Sequence, residues 1–116
     1  HAPYGRAALA ALQRAGVQDA VQSKLVLGEN IAQTAQFVQS GNADAGLIAL
    51  SLALAPALRD VGVAFEVPAT SHPPLRQAAV AITGSRRPDA ARAFIAYLKD
   101  PAIVALLQAS GFGTQP

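Results

Sequence analysis

Apolar residues recur at helical spacing between Tyr4 and Ala15, where Leu9, Leu12 and a run of alanines follow Pro3-Tyr4-Gly5 and stop at Gly16. Glycine ends helices readily because it enters left-handed backbone without a Cβ penalty, so the pattern predicts a first helix closed by Gly16. Ile31, Ala35 and Val38 share one face of a second periodic stretch, bounded by Glu29-Asn30 before it and Ser40-Gly41-Asn42 after it. Asn30 or Glu29 is the expected N-cap, since a short polar side chain can accept from the first free amides. A brief helical stretch follows Ala49 until Pro56 interrupts it. Near the end, Pro88 opens a helix with the apolar stripe Phe94, Ile95 and Leu98. Asp100-Pro101 opens another, with Ile103, Leu106 and Leu107 inward before Gly111.

Between these helices lie short apolar runs: Lys24–Leu27, Ala45–Ala49, Val61–Val67 and Gln77–Ile82. Their length and their glycine and proline boundaries predict four strands. Strands alternating with helices imply an α/β fold with a mostly parallel sheet flanked by helices, because a crossover helix is the usual return path to a sheet edge. Thr70-Ser71-His72-Pro73-Pro74 reads as a solvated loop, each proline restricting the residue before it.

Composition narrows the function classes. With 52% hydrophobic residues in 116, the chain is neither disordered nor a disulfide mini-protein. Nine Lys and Arg against seven Asp and Glu leave a net charge of +2, too little to hold nucleic acid by phosphate neutralisation. Cysteine is absent and the histidines are His1 and His72 alone, so no side-chain metal site is expected. The longest apolar run, Ala45 to Leu58, is too short for a bilayer and is broken by Ser51 and Pro56. The chain opens on His1-Ala2-Pro3 and contains no Met, which reads as a piece of something longer.

Catalytic patterns are missing. Ser71 and His72 could be imagined with Asp44 or Asp60, but no G-x-S-x-G turn raises a serine above a sheet. Gly111-Phe112-Gly113 lacks the third glycine and the context of a dinucleotide fingerprint. An enzyme is therefore not expected, and no cofactor. What remains is a backbone feature. Pro3-Tyr4-Gly5 and Glu29-Asn30-Ile31 each place a turn before a helix, whose first N–H groups have no partner within it and suit an oxyanion.

These same segments carry a resemblance. Pro3-Tyr4-Gly5, Ala11-Leu12-Gln13-Arg14-Ala15-Gly16, Lys24-Leu25-Val26, Glu29-Asn30-Ile31 and Ala45 through Ser51 appear in order with Ser71-His72, Ala79-Val80-Ala81-Ile82 and Tyr97 through Gly113. The ordered set resembles the C-terminal half of the periplasmic molybdate-binding proteins of ABC transporters, the ModA family. The resemblance implies part of a two-lobe, type II periplasmic-binding-protein-like fold. Residues 1–67 would belong to the second ligand-binding lobe, and residues 68–116 would form the return segment and C-terminal helices. It implies a tetrahedral molybdate or tungstate ligand held by neutral donors, a membrane permease as partner, and the periplasm as location.

The resemblance further implies that the amides of Tyr4 and Ile31 donate to the oxyanion. Where the family often supplies a tyrosine hydroxyl, this sequence has Ala49, and Ser51 two residues on is a candidate to compensate or, equally, to cap the next helix. A half-protein would expose apolar surface, so a homodimer is expected. Two other readings stay open: the effector domain of a transcription regulator on a related fold, and a receptor for another tetrahedral oxyanion such as sulfate.

Overall fold

Prolines and side-chain caps set the starts of four helices, and glycines end three. In the computed structural model, which describes residues 2–113, six α-helices form: α1 (Pro3–Arg14), α2 (Gln18–Val21), α3 (Ile31–Gln39), α4 (Leu50–Ala53), α5 (Pro88–Tyr97) and α6 (Pro101–Ala109). Two 3-10 turns, Gln22–Lys24 and Ala69–Ser71, complete the regular structure. Proline stands in the first turn of α1, α5 and α6, where its missing N–H costs nothing.

α1, α3 and α6 each run into a glycine of positive φ one residue past the C-cap: Gly16 at +70°, Gly41 at +76° and Gly111 at +85°. At α1 the turn is closed by two backbone bonds, Gly16 N–H to the Gln13 carbonyl at 2.9 Å and Val17 N–H to that of Leu12 at 3.1 Å. That pairing satisfies carbonyls the helix itself cannot. α6 repeats it with Gly111 and Phe112 donating to Gln108 and Leu107.

The sheet does not form. Among the described residues there is no β-strand, so the α/β assignment with a mostly parallel sheet is overturned: the regular structure is helical throughout. Lys24 closes a 3-10 turn instead of opening a strand, and residues 45–49, 63–68 and 73–82 run as irregular backbone without a ladder. The reason is that a strand is a paired object. Apolar composition makes a segment eligible, but only a neighbour about 4.8 Å away satisfies its amides and covers its faces. Here the faces stay open, with Val63 103%, Phe65 85% and Val80 80% exposed.

Two compact units divide the chain, His1–Leu75 and Arg76–Pro116. The first holds the buried apolar residues among those described, Ala7 on α1, Ala35 on α3 and Ala49 before α4. In this unit small residues permit close approach. A Cβ on Gly46 would lie 2.8 Å from Val38 Cγ2 of α3, and one on Gly28 would lie 2.9 Å from the Thr34 amide and 3.0 Å from the Asn30 carbonyl. α1 also packs against the 3-10 turn Ala69–Ser71. In the second unit α5 and α6 half-bury Ile95, Leu98, Ile103 and Leu107. Leu106, expected inside, and Phe94 of the apolar stripe are each 60% exposed.

Candidate functional site

The first helix start has no side-chain cap. Ala2, the N-cap of α1, has no side-chain oxygen to offer the first-turn amides, and the first helical bond runs from Arg6 N–H to its carbonyl at 3.1 Å. Tyr4 occupies the second helical position, half-buried, and a Cβ added to Gly5 beside it would meet nothing within 4 Å.

The second start is partly spoken for. Asn30 is the N-cap of α3, and its Oδ1 accepts from Gln33 N–H at 2.9 Å. The Gln33 side chain reaches back in turn, its Oε1 accepting from Glu29 N–H at 2.6 Å. This reciprocal arrangement resembles a capping box shifted by one residue. It consumes the third-position donor but leaves the amides of Ile31 and Ala32 with no acceptor among the described residues. α3 therefore presents two free N–H groups at the positive end of its dipole, one of them that of Ile31.

Ala49 is buried and serves as N-cap of α4, accepting through its carbonyl from Leu52 and Ala53 at 3.0 and 3.1 Å. Its methyl brings no hydroxyl. Ser51 lies inside α4, half-buried at the second position, so it does not cap that helix. Its hydroxyl makes no hydrogen bond among the described residues.

Beside Tyr4 lies a small cavity of about 80 Å³. Its walls are Tyr4, Ala7, Ala8 and Ala11 of α1, with Leu47, Ile48, Val67, His72 and Leu75. Tyr4 thus shares a hollow with the stretch leading into Ala49, while Ile31, Ala49 and Ser51 are not part of this lining. Ser71 and His72 depart from the solvated loop expected for them. Both are half-buried: Ser71 closes the 3-10 turn against α1, and His72 is one of the residues lining the cavity. The sequence signal for His72 was present in the two prolines that follow it, which hold backbone in place as readily as they break helices.

No constellation for catalysis or for metal binding appears among the described residues. Among the described residues no group of three or more His, Cys, Asp or Glu could hold a metal ion. The ion pairs Arg59–Asp60 at 3.2 Å and Arg92–Asp89 at 3.1 Å are exposed and each contributes little. Among the described residues no helix is long and apolar enough to cross a membrane.

Comparison with known proteins gives a consistent picture. A family model for bacterial extracellular solute-binding proteins matches residues 1–113. The molybdate-binding protein ModA of Azotobacter vinelandii is 41% identical over 114 residues, covering 98% of this chain and 45% of the relative. That of Rhodobacter capsulatus is 32% identical, covering 98% and 44%. A putative ABC transporter substrate-binding lipoprotein, YvgL of Bacillus subtilis, is 26% identical, covering 95% and 42%. The chain spans a little under half the length of these curated relatives. No solved structure matches it.

Proposed function

The chain belongs to the bacterial extracellular solute-binding protein family, and from that premise we propose that it is part of the substrate-binding component of an ABC importer that collects molybdate or tungstate. The observation that carries the reading is the match to two molybdate-binding relatives along nearly the whole chain, at 41% and 32% identity. The ligand is held through backbone amides at helix starts, those of Tyr4 and Ile31, and handed to a membrane permease on the periplasmic side. No chemical step is performed on it. Residues 1–67 contribute to the second ligand-binding lobe, and residues 68–116 supply the return segment and C-terminal helices.

Physical chemistry supports this assignment of donors. A tetrahedral dianion favours fixed N–H groups at positive helix ends, and α3 keeps two such groups uncovered beside its own cap. At Ala49 the family's hydroxyl is replaced by a methyl, and Ser51, with an uncommitted hydroxyl two residues on, is the compensating donor. With part of the fold's surface unmet, a second copy of the chain is the proposed partner in the isolated state.

Thermal denaturation of the 116-residue chain with molybdate, tungstate, sulfate or phosphate at about 10 mM tests the ligand class, since a ligand that binds only the folded form raises the midpoint. Molybdate and tungstate should raise it by a few degrees, on the scale of about 1 kcal/mol for a domain of this size. Equal or absent shifts for all four anions would count against the assignment.

A further inference from the structure

We propose that residues 61–67 form a docking edge for a second copy of this chain, the two segments pairing antiparallel about a two-fold axis at Ala64; the proposal rests on the second copy proposed above and names the surface it meets. The segment Val61-Gly62-Val63-Ala64-Phe65-Glu66-Val67 alternates large apolar residues with small or polar ones, the pattern of a strand with one covered face. It carries a single charge and no proline, so little in it resists pairing. Yet it has no ladder. Val61, Val63 and Phe65 are 64%, 103% and 85% exposed, and the amides of Gly62, Ala64 and Glu66 meet no acceptor among the described residues. Unpaired backbone beside exposed apolar side chains is a template for another strand.

Area and charge identify the occupant. The chain's 9207 Å² is about 2,100 Å² more than two compact bodies the size of its units expose, and each partner of a stable pair hides about 800 Å². Charge selects the orientation. Parallel and in register, Glu66 would stand beside its own copy about 4.8 Å away. Antiparallel about Ala64, each Glu66 faces Gly62 and each Val63 faces Phe65, a β-branched side chain against an aromatic one.

Val61 fixes which positions carry the bonds. Its N–H already donates to the Leu58 carbonyl at 3.0 Å, so the ladder runs through Gly62, Ala64 and Glu66, whose amides are uncommitted. Val61, Val63, Phe65 and Val67 then share one face as the closer, non-hydrogen-bonded pairs. Phe65 and Val67 also border a hollow of about 280 Å³ with Ala11 and Leu12 of α1, so the second copy extends an apolar surface already begun.

Sedimentation velocity of the 116-residue chain at about 10 to 100 µM, together with thiol capture, provides the test. Val63→Lys puts a cation into the pair at a fully exposed site, and it should raise the dimer dissociation constant about tenfold. The chain has no cysteine, so an introduced thiol reports one position. In an oxidising glutathione buffer Ala64→Cys should be captured as a disulfide-linked dimer, its Cα atoms about 5.5 Å apart, whereas Val61→Cys, about 20 Å from its copy, should not.

A dimer whose constant Val63→Lys leaves unchanged overturns the edge while the second copy stands. Equal capture of the two thiol variants, or capture of neither, overturns the pairing about Ala64 and the proposal with it. If the wild-type chain stays monomeric throughout, the second copy fails and takes this edge with it. Should Val63→Lys not fold, the thiol variants decide.

Discussion

At the scale of single residues, small side chains and backbone groups carry both the fold and the proposed chemistry. Gly16 holds φ at +70° past the end of α1. Any Cβ there is strained, so Gly16→Ala should lower stability by about 1–2 kcal/mol in urea unfolding, with the helix register unchanged. Asn30 works at the other kind of terminus. Removing its Oδ1 strips the Gln33 amide of its acceptor, and Asn30→Ala should cost about 1 kcal/mol by the same measurement. The ligand donors are equally modest. Two amides to a charged oxyanion contribute about 3–6 kcal/mol before the cost of association, whereas micromolar affinity needs about 8 kcal/mol. Calorimetric titration of the isolated chain with molybdate should therefore show binding weaker than micromolar. A submicromolar single-site constant from a monomer would contradict the two-amide account.

At the scale of elements, the helices were readable and their neighbours were not. The start of α3 at Asn30, the start of α6 at Asp100, whose carboxylate accepts from Ala102 N–H at 2.9 Å, and the three glycine stops follow from local rules that a few residues suffice to state. The 3-10 turn Gln22–Lys24 ends on the residue where a strand was expected to begin, and α2 before it was not predicted, because Gln18–Lys24 carries no strong periodicity of its own. Packing between elements depends on what is absent from a side chain. Gly46 faces α3 so closely that an added Cβ would stand 2.8 Å from Val38 Cγ2. Gly46→Ala should destabilise the first unit by about 1–3 kcal/mol, and Val38→Ala in the same chain should recover part of that loss. Unfolding of both single variants and the double variant checks it, since additive losses would mean that the two positions do not meet.

At the scale of the whole molecule, the decisive quantity is surface. The chain exposes 9207 Å². A folded monomer of its mass exposes about 5,900 Å², and two separate compact bodies the size of its two units about 7,100 Å² together. The remainder, about 2,100 Å², exceeds the about 800 Å² that each partner of a stable pair hides. Val63, Phe65, Val80 and Ile82 contribute apolar area to it. Sedimentation velocity over a range of about 10 to 100 µM should accordingly show self-association, and a monomer throughout would remove the proposed second copy.

What the residues determined alone was local: where helices start and stop, that the chain carries no thiol, and which segments match a family of solute-binding proteins. Caps, proline rings and positive-φ glycines act within a turn or two, so their physics is fully contained in the string of letters. The tertiary structure alone decided whether Val61–Val67 and Gln77–Ile82 become strands, whether Phe94 and Leu106 turn inward, and that His72 reaches the hollow beside Tyr4. Each of those outcomes depends on a partner distant in sequence. A strand without a neighbour is only extended chain, and an apolar side chain without a covering surface stays in water.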